Sequence, residues 1–464
     1  MEYENLKNEL LALVDTGLKY ARTVDNQAEF ELYLFYRNRA MVNITQGMVD
    51  ATDGIIEGNA TRVAKENQVS FASSSGISID RIKRSINEAT ASLKSLSVKD
   101  ERFKGFCEPK KPNKEGAFTD EILNIGKDEL ISYANALIRE GKECDQKIHM
   151  VGSSCEAEWG GFAIGNTRGL QEASRSAVNS CDVYCIAVKG NERRTAYRYD
   201  ISRERLIAPE GLGEKAAQKA LSLLGAKKLD KTMTMPTIWT PDAAAAYLYA
   251  SLGQSARGTY VVEGRSPLAD KLEKEVASSM LTVIDDGQTP SGFNTEAIDA
   301  EGHPQQTVTL IENGKLQSFL FDTYYARIYG TESSGSCSRP GRPFGSALPY
   351  ETSPMVRPKN MEVRPGSNSL DEMISSMDGS AVLIVDMPIG IFHSDVATGE
   401  FSAVASSAFL IKDGEKKWPL QPVSVAGSFY NGFKNLINIG NDLEKTTLTV
   451  DTPSLAFDGF SVVG

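Results

Sequence analysis

Leu6, Leu10, Leu13, Val14 and Leu18 recur at the three-and-four spacing of one helix face, which predicts a helix over residues 1–20. From Phe30 the period changes to two. Phe30, Leu32 and Leu34 alternate with Glu31, Tyr33 and Phe35, so a strand is expected there, with more strand-like sequence through Val69-Ser70-Phe71. Ile79, Ile82, Ile86 and Ala89 restore helical spacing within residues 77–96. Residues 104–113, rich in Lys and Pro, read as a linker. A helix over 120–141, a strand-rich block over 147–199 and a helix over 211–224 follow. The two stretches share an order of elements but little residue identity, so an internal duplication is expected from the order alone.

The pattern shifts near residues 227–235. Thr240-Pro241-Asp242 starts a helix over 241–252, with Thr as N-cap, Pro in the first turn and an acid at the positive dipole end. Strands and hairpins then dominate. Asn313-Gly314 and Asp413-Gly414 supply the positive φ of type I′ turns, and Ser369 with Glu372 forms a capping box. The expected class is α+β: an N-terminal α/β domain of antiparallel sheet and helices over 1–226, and a mostly antiparallel, barrel-like β domain over 227–464. Two domains suit a chain of 464 residues at about 100–200 residues each.

Charge and composition narrow the chemistry. The 50 basic and 61 acidic side chains give a net charge of −11, which argues against a nucleic-acid ligand. No apolar run approaches the ~18–20 residues of a membrane span. The acidic start Met1-Glu2-Tyr3-Glu4 lacks a secretory pattern, so a cytoplasmic location is expected, with the six cysteines as free thiols. Cys144, His149 and Cys155 lack the closely spaced pair of a zinc site, and neither metal nor cofactor is expected. Asp285-Asp286-Gly287 and Asp299-Ala300-Glu301-Gly302 could offer oxygen ligands but read better as turns. Arg339 and Arg342, in a Gly- and Pro-rich loop, suit either a carboxylate or phosphate clamp or a solvated loop.

Several segments occur together in order. Ser266-Pro267-Leu268-Ala269-Asp270-Lys271 leads into residues 281–287. Asp299–302, the hairpin at 310–316, Tyr324-Tyr325-Ala326-Arg327 and Ser333-Ser334-Gly335-Ser336 come next. Thr398-Gly399-Glu400, Val425-Ala426-Gly427 and Ile439-Gly440-Asn441-Asp442 complete the series. Over residues 236–464, and more loosely over 48–96 and 165–224, the chain resembles the TldD/PmbA (TldD/TldE) family, once named modulators of DNA gyrase.

The resemblance implies which residues matter. The zinc-peptidase branch carries His-Glu-Xaa-Xaa-Xaa-His before the Ser-Xaa-Xaa-Ala-Xaa-Lys segment. Those positions here hold Tyr249, Ala250 and Gln254, and no cysteine follows Cys337 to serve as a further ligand. The chain thus resembles the PmbA/TldE branch, a subunit without its own zinc. The implied function is support of a TldD-like zinc peptidase, or self-pairing as a homodimer, in degrading unfolded peptides. An extended peptide is expected near Gly335, Ser336, Arg339, Gly390 and His393, where glycines allow close backbone approach and Arg339 can hold a carboxylate. The alternatives are a homodimeric hydrolase using Cys337, His393 or His303, and a gyrase-modulating interaction protein.

Overall fold

Leu10, Val14, Leu18 and Ala21 are all buried, so the first helix, α1 (Glu2–Val24), lays one apolar stripe on the sheet beside it. A meander of β1 (Glu29–Thr45), β2 (Met48–Lys65) and β3 (Gln68–Ser75) follows, then α2 (Ile79–Ser95). The same order recurs in α3 (Lys127–Cys144), β4 (Ile148–Asn166), β5 (Gln171–Lys189), β6 (Glu192–Ser202) and α4 (Leu212–Ser222). β1 and β4 pair antiparallel, giving one sheet of order β3-β2-β1-β4-β5-β6. Two helix–meander–helix units therefore meet back to back at its centre, in keeping with the expected duplication. This computed structural model describes residues 2–207, 210–229, 232–290, 292–339 and 348–464.

Strand alternation decides what each face touches. Phe30, Leu32 and Leu34 point into the helical layer with Ile82 and Ile86. Tyr33 and Phe35 point the other way, against Phe162, Ile298 and Tyr350. The second face is thus covered by the C-terminal half, which begins with β7 (Met233–Trp239), α5 (Pro241–Ala250) and the short α6 (Leu252–Ser255). β7 lies inside a mainly antiparallel sheet, between the strands Leu455–Val463 and Ser380–Ile384, and is parallel only to the latter. Trp239, Tyr247, Phe401, Phe429, Phe457 and Phe460 fill its core, and the Tyr247 hydroxyl donates to the Phe429 carbonyl at 2.6 Å. The architecture is the expected α+β class. Among the described residues, no helix is long and apolar enough to cross a membrane.

Two boundaries and one connection differ from the sequence pattern. The helix expected over 120–141 divides into a 3-10 turn, Asp120–Asn124, and α3, because Gly126 is extended and the Glu129 carboxylate accepts its N–H. The helix expected to reach 252 stops at Ala250. Ser251 leaves helical geometry (φ −100°, ψ −86°), with its hydroxyl donating to the Tyr247 carbonyl at 2.6 Å. The Lys/Pro segment is strapped down rather than loose: Arg327 donates to the Gly105 and Phe106 carbonyls, and Lys110 pairs with Glu332 at 2.8 Å.

Candidate functional site

The odd-numbered residues of β1 bring Tyr33, Phe35 and Arg37 to the face that meets the C-terminal half, and β4 adds Glu158, Trp159 and Phe162. Opposite them stand Tyr249 at the end of α5, Phe392, and the segments that carry Arg339, Arg357 and Lys359. Between these walls lies a cleft of about 450 Å³. One side is aromatic, and four cations reach it from an otherwise acidic chain.

Most of the charges are answered. Arg37 lies 3.3 Å from Glu158. Burial and the neighbouring Glu156 push the Glu158 carboxyl up to about 7, against the opposing pull of Arg37. Arg339 is buried. It donates to the Thr352 carbonyl at 2.9 Å and to Glu31 at 3.2 Å, and its guanidinium lies over the Tyr33 ring at 4.4 Å. Glu31 also accepts two bonds from Arg62, at 2.8 and 2.7 Å, and Arg62 reaches Glu301 at 3.2 Å. Lys359 donates to the Cys337 carbonyl and, at 2.9 Å, to the Ser338 hydroxyl. Burial also raises Glu296 on this wall, opposed chiefly by Lys359.

The pattern that fills residues 232–464 matches the family model described as the PmbA/TldA metallopeptidase C-terminal domain, and residues 120–224 match the central-domain model. The chain belongs to the TldD/PmbA family. It is 26% identical over 413 residues to the metalloprotease TldD homolog of Buchnera aphidicola subsp. Acyrthosiphon pisum, covering 83% of this chain and 80% of that one. It is 25% identical over 323 residues to metalloprotease PmbA of Escherichia coli O157:H7, covering 69% and 66%. The fold matches the crystal structure of TldE from Thermococcus kodakarensis with a TM-score of 0.86, at 24% identity and 98% and 99% coverage. Overall identity does not separate the TldD and PmbA names.

Of the motif positions, Tyr249 lines the cleft, with its ring 6.0 Å from Phe392 and 5.9 Å from the Arg257 guanidinium. Ala250 is buried, and Gln254 lies beyond the Ser251 break. Arg339 reaches the cleft. Gly335 and Ser336 sit behind its wall: Gly335 packs on the Pro304–Gln305 backbone at a φ of +67°, and Ser336 bonds to Ser334 at 2.9 Å. Gly390 takes a left-handed conformation (φ +91°) in the turn that presents Phe392, and His393 is exposed beside it. Arg342 lies outside the described residues.

The other candidates do not assemble. Cys155 is buried opposite Cys181 while His149 is exposed, so Cys144, His149 and Cys155 do not converge. Asp299 accepts the amides of Glu301 and His303 and Asp286 that of Gln288, as expected of turns, whereas Asp285 lies in the strand Val283–Asp286 and accepts the distant Lys359 and Asn360 amides. The sequence reading missed Arg257, Arg357 and Lys359. Their only signal is positive charge beside apolar residues in a net acidic chain.

Proposed function

We propose that this chain is a PmbA/TldE-like subunit of a TldD/TldE-type metallopeptidase system that degrades unfolded peptides, and that it has no zinc site of its own. The carrying observation is the chemistry at Tyr249, Ala250 and Gln254. A phenol, a methyl and an amide replace two imidazoles and a carboxylate, and the Ser251 break separates the first two from the third. A catalytic zinc needs neutral imidazole or anionic ligands and a base for its water.

In this reading the chain divides near residues 226 and 227. Its C-terminal half meets a TldD-like partner or a second copy in the cytoplasm. An extended peptide lies in the cleft along Arg339, whose wall Gly335 and Ser336 support from behind, and against the turn of Gly390 to His393 that carries Phe392. A strand-like peptide satisfies its backbone through main-chain bonds, which tolerate many sequences. The hydrolase alternative is disfavoured by Cys337: burial, then Glu301 and Asp299, push its thiol well above the usual range, opposite to what a nucleophile needs. No observation favours a gyrase-directed role.

Peptidase assays and elemental analysis of the chain, alone and with a TldD-like partner, test this. The chain alone is expected to carry no stoichiometric zinc and to leave unfolded peptides intact. The mixture is expected to cleave them, and to stop when the partner's zinc is removed. One zinc per chain together with hydrolysis by this chain alone overturns the reading.

A further inference from the structure

Arg357 differs from the other arginines of the cleft. Arg37 is answered by Glu158 and Arg339 by Glu31. Among the described residues no carboxylate forms an ion pair with Arg357, and its buried Nε has no hydrogen-bond partner. Its backbone N–H donates to the Ser336 carbonyl at 2.8 Å, which fixes the side chain's origin at the cleft wall. Arg257 stands near. Its Nε is held by the Gly253 carbonyl at 2.8 Å, while its buried Nη2 has no partner. Burial lowers the proton affinity of Arg257, Tyr249 opposes it, and the like charge of Arg357 lowers it further. Buried polar groups are otherwise nearly always paired, and an unpaired buried charge is strongly destabilising. Arg257 is buried and Arg357 half-buried, and the unpaired Nη2 of the one and Nε of the other leave donors for an anion where no carboxylate pairs with Arg357.

The same cleft limits which anion fits. Glu158 and Glu296 line it and would repel a dianion. Tyr33, Phe35, Trp159, Tyr249 and Phe392 make an apolar wall. A volume of about 450 Å³ admits the end of a chain rather than a folded partner. A singly charged group attached to an apolar body meets all three conditions. We infer that the cleft holds the carboxylate of a peptide's C-terminal residue, with Arg357 as its forked partner and the aromatic wall around that residue's side chain. A guanidinium presents paired N–H donors in the plane of a carboxylate, a match that lysine cannot reproduce. Tyr249 stands at the first motif position, 5.9 Å from the Arg257 guanidinium. Positive charge thus stays at this end of the cleft, carried by arginine rather than by metal. The inference rests on the proposed peptide-handling function and names the part of the peptide that this subunit holds.

The test is binding of an unstructured, fluorescently labelled hexapeptide ending in Leu, as free acid and as C-terminal amide, to the full chain by anisotropy. The free acid is expected to bind at least tenfold more tightly. Arg357→Gln should bring it to the level of the amide without changing the amide's own affinity, and Arg357→Lys should restore only part of the gap. Equal binding of acid and amide to the unaltered chain, or a gap that persists in a folded Arg357→Gln variant, overturns the inference. An amidated peptide with an internal Glu that matches the free acid overturns the terminal assignment. N-acetyl-leucine and its amide probe the subsite alone. Acid-selective, Arg357-dependent binding of this small probe without peptide binding sinks the peptide-handling function and leaves the subsite standing. Peptide binding with no preference for the acid does the reverse.

Discussion

Glu158 shows how a single residue ties the cleft to pH. It points from β4 into the space between the two halves, and its folded pKa of about 7 lies above the ordinary 4.5 because burial and Glu156 disfavour its charge. The folded state therefore holds this proton more tightly than the unfolded chain does. That stabilisation is complete below about pH 4.5 and is lost as pH rises through about 7. Glu158→Gln is accordingly expected to flatten the pH dependence of the thermal unfolding midpoint between pH 5 and 8, with the largest gain over the unaltered chain at the alkaline end. An unchanged slope in a pH series of melting curves refutes this. The residues that build the cleft were legible in the sequence only in part. Arg339 was visible as an arginine in a Gly/Pro loop, yet its burial depends on Glu31, 308 positions away. Arg357 carried no signal beyond a positive charge beside apolar residues, because an unpaired charge is defined by what fails to reach it in three dimensions.

At the scale of elements the sequence was most readable where chemistry is local. Asn313-Gly314 and Asp413-Gly414 take the positive φ values expected of them, and Ser369 caps its helix by accepting the Glu372 amide. The period-two run in β1 correctly separated the face that meets the helices from the face that meets the C-terminal half. The ends of α3 and α5 were misjudged. In both, a competing hydrogen bond, from Gly126 to Glu129 and from Ser251 to Tyr247, interrupts a pattern whose hydrophobic spacing continues. The α3–α4 pair supports a prediction of its own. Gly213, in the first turn of α4, lies so close to α3 that a Cβ there would overlap the Leu137 carbonyl oxygen and come within 3.0 Å of the Gly141 nitrogen. Backbone cannot yield as a side chain can. Gly213→Ala is expected to cost about 1–3 kcal/mol by forcing the helices apart, read as a lower urea midpoint with an unchanged slope. A midpoint equal to that of the unaltered chain would show that the two helices can separate freely.

At the scale of the whole molecule, a buried chain of charges joins the two halves. Glu31 on β1 faces Arg62 directly across the β1–β2 ladder, and the C-terminal half supplies Arg339 to Glu31 and Glu301 to Arg62. Glu31 is 1% exposed and answers two guanidiniums at once. Glu31→Gln keeps the shape of the side chain but removes its charge and turns N–H donors toward groups that only donate. Arg339 then loses its only carboxylate among the described residues, and Arg62 is left with Glu301 alone. Removing one partner of a buried pair typically costs about 3–5 kcal/mol, so the urea midpoint should fall by several times the effect of an exposed pair. Glu88→Gln, which breaks the surface pair with Arg84 at 2.8 Å, provides that comparison and is expected to leave the midpoint nearly unchanged, because water and salt screen an exposed pair. The halves remain tied elsewhere, by Lys219 to Asp386 and by the Tyr199 hydroxyl to Asp242 at 2.6 Å. The Glu31→Gln protein should therefore still fold, and limited proteolysis should cut it sooner between residues 223 and 232, the stretch that follows α4 and leads into β7. If Glu31→Gln proves no more costly than Glu88→Gln, the charge chain does not hold the halves together, and the apolar contact of Tyr33 and Phe35 with Tyr350 and Ile298 must carry that role.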